Sequence, residues 1–176
     1  PYVTEIGEYV CRICFTDPLQ SRALTKFARE YLKAERVAVI YEAGSSYSEK
    51  LAEFFIMRFK DLGGSIVFAE SFRADTVHLA ELVARAVRSN PDVLFAPVYY
   101  REAAIVVNRV ADLGSRVTLL GGDGWESSEL FRLAGSRIRP NQVYISSHFS
   151  LPLQTDRGST FVADFMHKHG APPSAV

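Results

Sequence analysis

The sequence predicts an α/β protein, a three-layer α/β/α sandwich built around a predominantly parallel sheet. Apolar runs of strand length alternate with amphipathic stretches of helix length, which is typical of a parallel sheet covered by helices on both faces. The predicted strands are residues 9–15, 36–41, 65–71, 92–97, 117–121 and 142–147. The predicted helices are residues 18–33, 47–62, 76–89, 100–113, 127–134 and 158–169.

Capping residues mark the starts of the first two helices, and apolar spacing marks the apolar faces of the second and third helices. Asp17 and Pro18 place a capping carboxylate before a first-turn proline. Ser46 and Glu49 have the spacing of a capping box. Apolar residues then recur at helical spacing in the second and third helices and line one face of each. They are Leu51, Phe55, Phe59 and Leu62, followed by Leu79, Leu82, Val83 and Ala86.

Length and composition limit the class of protein. A chain of 176 residues can form one domain with a full hydrophobic core. Hydrophobic residues make up 48 %, but no apolar run approaches the roughly 18 residues that span a bilayer, so we expect a soluble globular chain. Twenty acidic and twenty basic residues cancel, which leaves no basic field to attract nucleic acid. The chain starts at Pro1 with neither an initiator Met nor a signal peptide, which fits a processed exported protein or a piece of a longer one, and we expect a fragment.

Cysteine, histidine and nucleotide motifs give no cofactor, metal or catalytic site. Cys11 and Cys14 form a C-x-x-C in a strand-like context, whereas the redox motif starts a helix, so we expect two small apolar strand residues. The four histidines are scattered. No dinucleotide fingerprint, P-loop or nucleophile elbow is present. The acids Asp17, Asp75 and Asp123 are isolated from one another, so we expect no enzyme and no cofactor.

Polar and aromatic residues follow three of the predicted strands at the point where each strand ends. The segment Gly121–Trp125 follows one strand, Tyr47 follows another, and Tyr99 follows a third. Carboxyl ends of parallel strands form the edge of a sheet where ligands bind. One carboxylate, Asp123, among aromatic rings suits a small cationic or zwitterionic ligand, since the acid can neutralise an ammonium group and the rings form apolar walls. The predicted ligand-binding residues are Tyr47, Tyr99, Asp123 and Trp125.

Each of these residues also has a structural interpretation. Tyr47 could pack locally at a helix start, and one ring of the pair Tyr99 and Tyr100 is expected to face the core. Asp123 could be a turn residue between glycines. The alignment of all three at one sheet edge favours a binding site.

With these residues in this order, the chain resembles the second lobe of the type I periplasmic solute-binding proteins. The resemblance is to the branched-chain (leucine/isoleucine/valine) amino-acid-binding family that serves ABC transporters. The resemblance runs almost from end to end. The segments that carry it are Arg12–Gln20, Val37–Tyr41, Gly44–Ser48, Asn90–Leu94, Tyr99–Ala104 and Leu120–Trp125.

The resemblance implies a lobe that closes with a second lobe around a ligand. Tyrosines at Tyr47 and Tyr99 and the acid at Asp123 would hold the ligand, with the acid pairing with its ammonium group, while the other lobe would hold the ligand carboxylate. Residues 1–150 would be the second, ligand-binding lobe. Residues 151–176 would be the crossing segment and the start of the return helix to the missing first lobe.

The predicted function is therefore binding of an amino acid, branched-chain or similar, or of a small amide-type ligand, for an ABC transporter. The implied partners are the first lobe and the transporter permease, and the implied location is periplasmic or extracellular, where a lipid anchor can hold such proteins. Two alternatives stay open. One is a sensory or regulatory ligand-binding domain of the same fold. The other is a small flavodoxin-like enzyme using Asp123, which would need a second catalytic group nearby.

Overall fold

Five strands form one sheet in the computed structural model, which describes residues 2–73, 76–150 and 155–173. Every neighbouring pair is parallel, and the order across the sheet is β2-β1-β3-β4-β5. The strands are β1 (Arg36–Glu42), β2 (Ser65–Phe72), β3 (Val93–Ala96), β4 (Thr118–Gly121) and β5 (Val143–Ile145). The parallel α/β fold that the sequence predicts is confirmed.

Six α-helices lie in the described residues, close to where the apolar periodicity predicts them. They are α1 (Asp17–Lys26), α2 (Ser46–Asp61), α3 (Thr76–Arg88), α4 (Tyr100–Asp112), α5 (Ser128–Ala134) and α6 (Asp156–His169). A π-helical turn, Phe27–Tyr31, extends α1. The N-cap of α2 is Ser45, one residue earlier than the predicted box, and its side chain accepts a bond from the Ser48 amide at 3.4 Å.

Both faces of the sheet are covered, which gives the three layers. Strand residues of one parity, such as Ile40 and Leu94, pack with buried residues of α3, α4 and α5. Strand residues of the other parity, such as Val39 and Phe95, pack with α1 and α2. The Phe55 and Phe95 rings stack with centroids 4.1 Å apart. Strands buried on both faces explain the continuous apolar runs in the sequence.

The predicted strand at 9–15 is wrong. This segment forms local turns, among them a bond from the Val10 amide to the Gly7 carbonyl at 3.1 Å. Tyr9 is 97 % exposed and Ile13 is fully exposed, so the apolar pattern does not face a core. Cys11 and Cys14 are free and exposed in this segment, so the prediction of small apolar strand residues is wrong as well.

The chain divides into two units, Pro1–Ser146 and Ser147–Val176. In the second unit α6 begins two residues before its predicted start, and the Thr155 side chain caps it by accepting a bond from the Gly158 amide at 3.2 Å. Three predictions involve positions outside the described residues. They are the domain boundary at 150/151, the start of the crossing segment at 151–154, and the acid Asp75. Among the helices of the described part, none has the length and apolarity to cross a membrane.

Candidate functional site

Three loops at one edge of the sheet position the predicted site residues. The strands β1, β3 and β4 are adjacent and parallel, so their carboxyl ends lie at the same edge. Tyr47 is the second residue of α2, directly after β1. Tyr99 is the extended residue before α4, after β3. Asp123 begins a short 3-10 helix, Asp123–Trp125, after β4.

Tyr47 and Asp123 are joined by a direct hydrogen bond, and this bond belongs to a small network. The Tyr47 hydroxyl donates to Asp123 Oδ1 at 2.9 Å and accepts from the Gly124 backbone amide at 3.1 Å. Gln20 Nε2, from the first turn of α1, donates to the same Oδ1 at 2.7 Å and to Ser146 Oγ at 2.8 Å. The structure thus brings together two predicted site residues and adds Gln20.

Burial raises the pKa of the Tyr47 phenol well above its ordinary value, and the neighbouring charge of Asp123 raises it further. The bond from the Gly124 amide acts in the opposite direction but is the smaller effect. Tyr47 is therefore a neutral phenol across the physiological pH range. A neutral phenol keeps its proton, which it donates to the Asp123 carboxylate.

Tyr99 is the exposed aromatic residue of the site. Its ring lies against the Tyr47 ring, with centroids 5.2 Å apart and planes tilted by 32°. The Tyr99 side chain is 50 % exposed, whereas the neighbouring Tyr100 is partly buried against the core. The two tyrosine rings form an apolar wall beside Asp123.

Two glycines let this edge close tightly around Asp123. A Cβ atom on Gly122 would collide with the Tyr47 hydroxyl and would lie 3.1 Å from Gln20 Nε2. A Cβ atom on Gly124 would lie 2.8 Å from the Val98 carbonyl oxygen. Only glycine leaves room for these approaches.

Trp125, the fourth predicted site residue, lies beneath the site rather than in it. Its side chain is fully buried, and its indole N–H donates to the Ala96 carbonyl at 2.8 Å. The ring packs so closely under Gly121 that a Cβ atom there would lie 2.5 Å from Trp125 Cγ. We therefore remove Trp125 from the set of residues expected to contact a ligand.

Other acids lie at the carboxyl ends of the same strands. Burial, with a contribution from Glu102, raises the pKa of Glu42 at the end of β1. One carboxylate oxygen of Glu126 is buried without a hydrogen-bond partner among the described residues. No group of three histidine, cysteine or acidic residues suited to a metal ion occurs within 2–73, 76–150 and 155–173.

Comparisons with known proteins match this arrangement to one family. The family model described as "Periplasmic binding protein" matches residues 4–176. A leucine-specific-binding protein from Salmonella typhimurium is 26 % identical over 136 residues, which are 77 % of this chain and 37 % of that protein. A Leu/Ile/Val-binding protein homolog from Brucella suis is 24 % identical over 78 % of this chain and 37 % of its own length.

Solved structures show the same fold at higher coverage. A leucine-binding protein, LivK, from Thermotoga maritima superposes with a TM-score of 0.87 and 31 % identity, over 98 % of this chain and 49 % of that one. The branched-chain amino-acid transporter substrate-binding protein LivJ from Streptococcus pneumoniae, solved with isoleucine, gives 0.80 and 27 %, over 92 % and 45 %. The chain therefore spans half or less of the length of the relatives it matches.

Proposed function

The chain belongs to the periplasmic binding protein family, and from this premise we propose that it forms the second, ligand-binding lobe of an extracytoplasmic solute-binding protein. The family binds solutes and does not catalyse reactions, so the proposed role is binding alone. The proposed ligand is an amino acid, branched-chain or similar, held between this lobe and a first lobe elsewhere in the full-length protein.

One observation carries the proposal: the Asp123 carboxylate is held at the carboxyl edge of the sheet beside an exposed aromatic wall. Two neutral donors, Tyr47 and Gln20, bind its Oδ1 oxygen without neutralising the charge. A carboxylate so held can pair with a ligand ammonium group. The half-exposed Tyr99 ring can cover the apolar part of the same ligand.

The two-lobe arrangement rests on length as well as on the site. The chain spans 37 % of the leucine-specific-binding protein and 49 % of LivK. We propose that residues 1–150 form this lobe, that residues 151–176 lead back to the first lobe, and that the first lobe holds the ligand carboxylate. We further propose a periplasmic or extracellular location and delivery of the ligand to an ABC transporter permease.

A thermal-shift and calorimetry series on the full-length gene product tests the proposal. We expect leucine or a related amino acid to raise the melting temperature, since a ligand that binds only the native state stabilises it. The matched control is 4-methylpentanoate, which keeps the leucine side chain and carboxylate but lacks the ammonium group, and we expect much weaker binding. Residues 1–176 alone should bind far more weakly than the full-length product, because lobe closure supplies the remaining contacts. Absence of any amino-acid ligand, or equal affinity of the fragment and the full-length product, would overturn it.

A further inference from the structure

We propose that Gln20 is a positioning residue of the site, which orients the Asp123 carboxylate toward the ligand while leaving its negative charge intact. The inference rests on the proposed function for the identity of the ligand. It concerns a residue of α1 that bonds to Asp123 across 103 positions of sequence.

The Gln20 side chain is held in one orientation by its partners. It is 3 % exposed, and Nε2 uses its two hydrogens on Asp123 Oδ1 at 2.7 Å and Ser146 Oγ at 2.8 Å. A carboxylate oxygen only accepts hydrogen bonds, so the amide must present its nitrogen, not its oxygen, to Asp123. The side chain therefore connects α1 to the segments that follow β4 and β5.

The two donors can orient the Asp123 carboxylate without neutralising its charge. Oδ1 of Asp123 accepts from Gln20 and from Tyr47, and both donors are uncharged groups. A lysine or arginine at position 20 would form a stronger bond but would cancel the charge that a ligand ammonium group needs. A neutral amide fixes the direction of the carboxylate and preserves its attraction for a cation.

The space around Asp123 supports a site built around this contact. A Cβ atom on Gly122 would meet the Tyr47 hydroxyl, Leu51 Cδ2 at 3.0 Å and Gln20 Nε2 at 3.1 Å. Three side chains from α1 and α2 thus converge on a volume that only glycine leaves open. A glutamine needed only for packing would not require its amide to reach an acid at the ligand edge.

The first test measures selectivity in the full-length protein. Gln20→Met keeps the length of the side chain and removes both donors. We expect leucine to bind about tenfold more weakly, because Asp123 loses one of the donors that hold its carboxylate ready for the ammonium group. Binding of 4-methylpentanoate should change less than about twofold, since it has no ammonium group for Asp123 to meet. The control Ser146→Ala removes the other partner of the same amide and should change leucine affinity less than about threefold. An equal loss for both ligands would mean that Gln20 serves folding only, and would overturn the proposal.

The second test uses pH. In Gln20→Glu the introduced carboxylate has no proton to donate at pH 8, so Asp123 loses its orienting donor there and leucine should bind more weakly than to wild type. As the pH falls toward 5, the introduced carboxyl takes up a proton and can donate to Asp123 as the amide does, so affinity relative to wild type at the same pH should recover. A loss that is constant between pH 5 and 8 contradicts the positioning role.

The two proposals can fail separately. If wild type binds neither leucine nor any other amino acid, the proposed function fails. Crystal structures of wild type and Gln20→Met then decide the present inference. We expect the Asp123 carboxylate to rotate away from its wild-type direction in the variant, and an unchanged carboxylate would overturn the positioning role.

Discussion

The Tyr47 hydroxyl donates its proton to Asp123 Oδ1 at 2.9 Å, although 76 positions separate the two residues in sequence. The Tyr47 hydroxyl oxygen also accepts a bond from the Gly124 backbone amide, so the protein itself uses both the hydroxyl proton and one acceptor position of that oxygen. Under the proposed function, we expect Tyr47 to act on a ligand through its ring and through Asp123. Tyr99 differs, because its exposed side chain can meet a ligand directly.

Asp123→Asn should weaken amino-acid binding by about 2–4 kcal/mol, because the ligand ammonium group loses its charged partner in a desolvated site. The amide oxygen can still accept the bonds from Gln20 and Tyr47, so we expect the unfolding free energy to stay within about 0.5 kcal/mol of wild type. Calorimetry and urea unfolding of the full-length protein measure both quantities.

The control for this change is Asp92→Asn. Asp92 precedes β3 at the opposite end of the strands and accepts bonds from the Glu35 and Arg36 amides, both at 2.8 Å. It should alter stability without altering ligand affinity. Loss of folding with unchanged affinity in Asp123→Asn would make Asp123 a turn residue.

Tyr99→Phe should weaken binding by about 1 kcal/mol, since only a neutral hydrogen bond is lost and the aromatic wall remains. Tyr31→Phe is the matched control, because Tyr31 is an exposed tyrosine on the turn that extends α1. Titration calorimetry should give Tyr31→Phe the same ligand affinity as wild type. Equal affinities for all three proteins would remove the Tyr99 hydroxyl from the site.

Gly122→Ala should lower both stability and affinity. The added methyl group meets the Tyr47 hydroxyl and the Gln20 amide, and overpacking of this kind costs about 1–3 kcal/mol. Gly7→Ala is the control, because no atom lies within 4 Å of a Cβ atom there, and its effect should stay within about 0.5 kcal/mol. Thermal unfolding measures the loss of stability, and calorimetry measures the loss of affinity. A Gly122→Ala protein that matches Gly7→Ala in both quantities would contradict the close approach of Tyr47 and Gln20 to Gly122.

Tyr47→Phe should change the pH dependence of stability. Burial and Asp123 raise the pKa of the native Tyr47 phenol above its ordinary 10.0, so its stabilisation is complete below pH 10 and declines as the pH rises further. The variant should be about 1 kcal/mol less stable than wild type at pH 8. This difference in unfolding free energy should fall by about 1.4 kcal/mol for each pH unit above 10, so that it passes through zero near pH 11.

Urea unfolding between pH 8 and 11 measures this fall. The control Tyr9→Phe changes an almost fully exposed phenol and should leave the unfolding free energy at pH 8 within about 0.5 kcal/mol of wild type. A constant difference for Tyr47→Phe would mean that the Tyr47 phenol ionises equally easily in the native and unfolded chain.

The sheet and helices could be predicted because strands buried on both faces leave continuous apolar runs and helices leave a periodic pattern. The segment at 9–15 has the same apolar composition as a strand, but Ile13 is exposed, and no strand in the described part of the chain pairs with the segment. Composition alone cannot supply a pairing partner. That is the physical reason for the wrong strand.

The edge of the site was predictable, but its internal contacts were not. Parallel strands bring Tyr47, Tyr99 and Asp123 to one edge whatever the loops do. The bond from Gln20 to Asp123 depends on where α1 packs, which local periodicity does not record. Burial of Trp125 left only one sign in the sequence, a glycine at 121 where a side chain would collide with the indole.

Trp125 also gives the protein an intrinsic optical signal. It is the single tryptophan of the chain, it is fully buried, and it lies two residues after Asp123 in the same short helix. All indole fluorescence of these 176 residues therefore comes from one apolar environment directly beneath the Asp123 turn. A movement of the Asp123 turn shifts that environment, so emission intensity and wavelength report on the site without an attached dye.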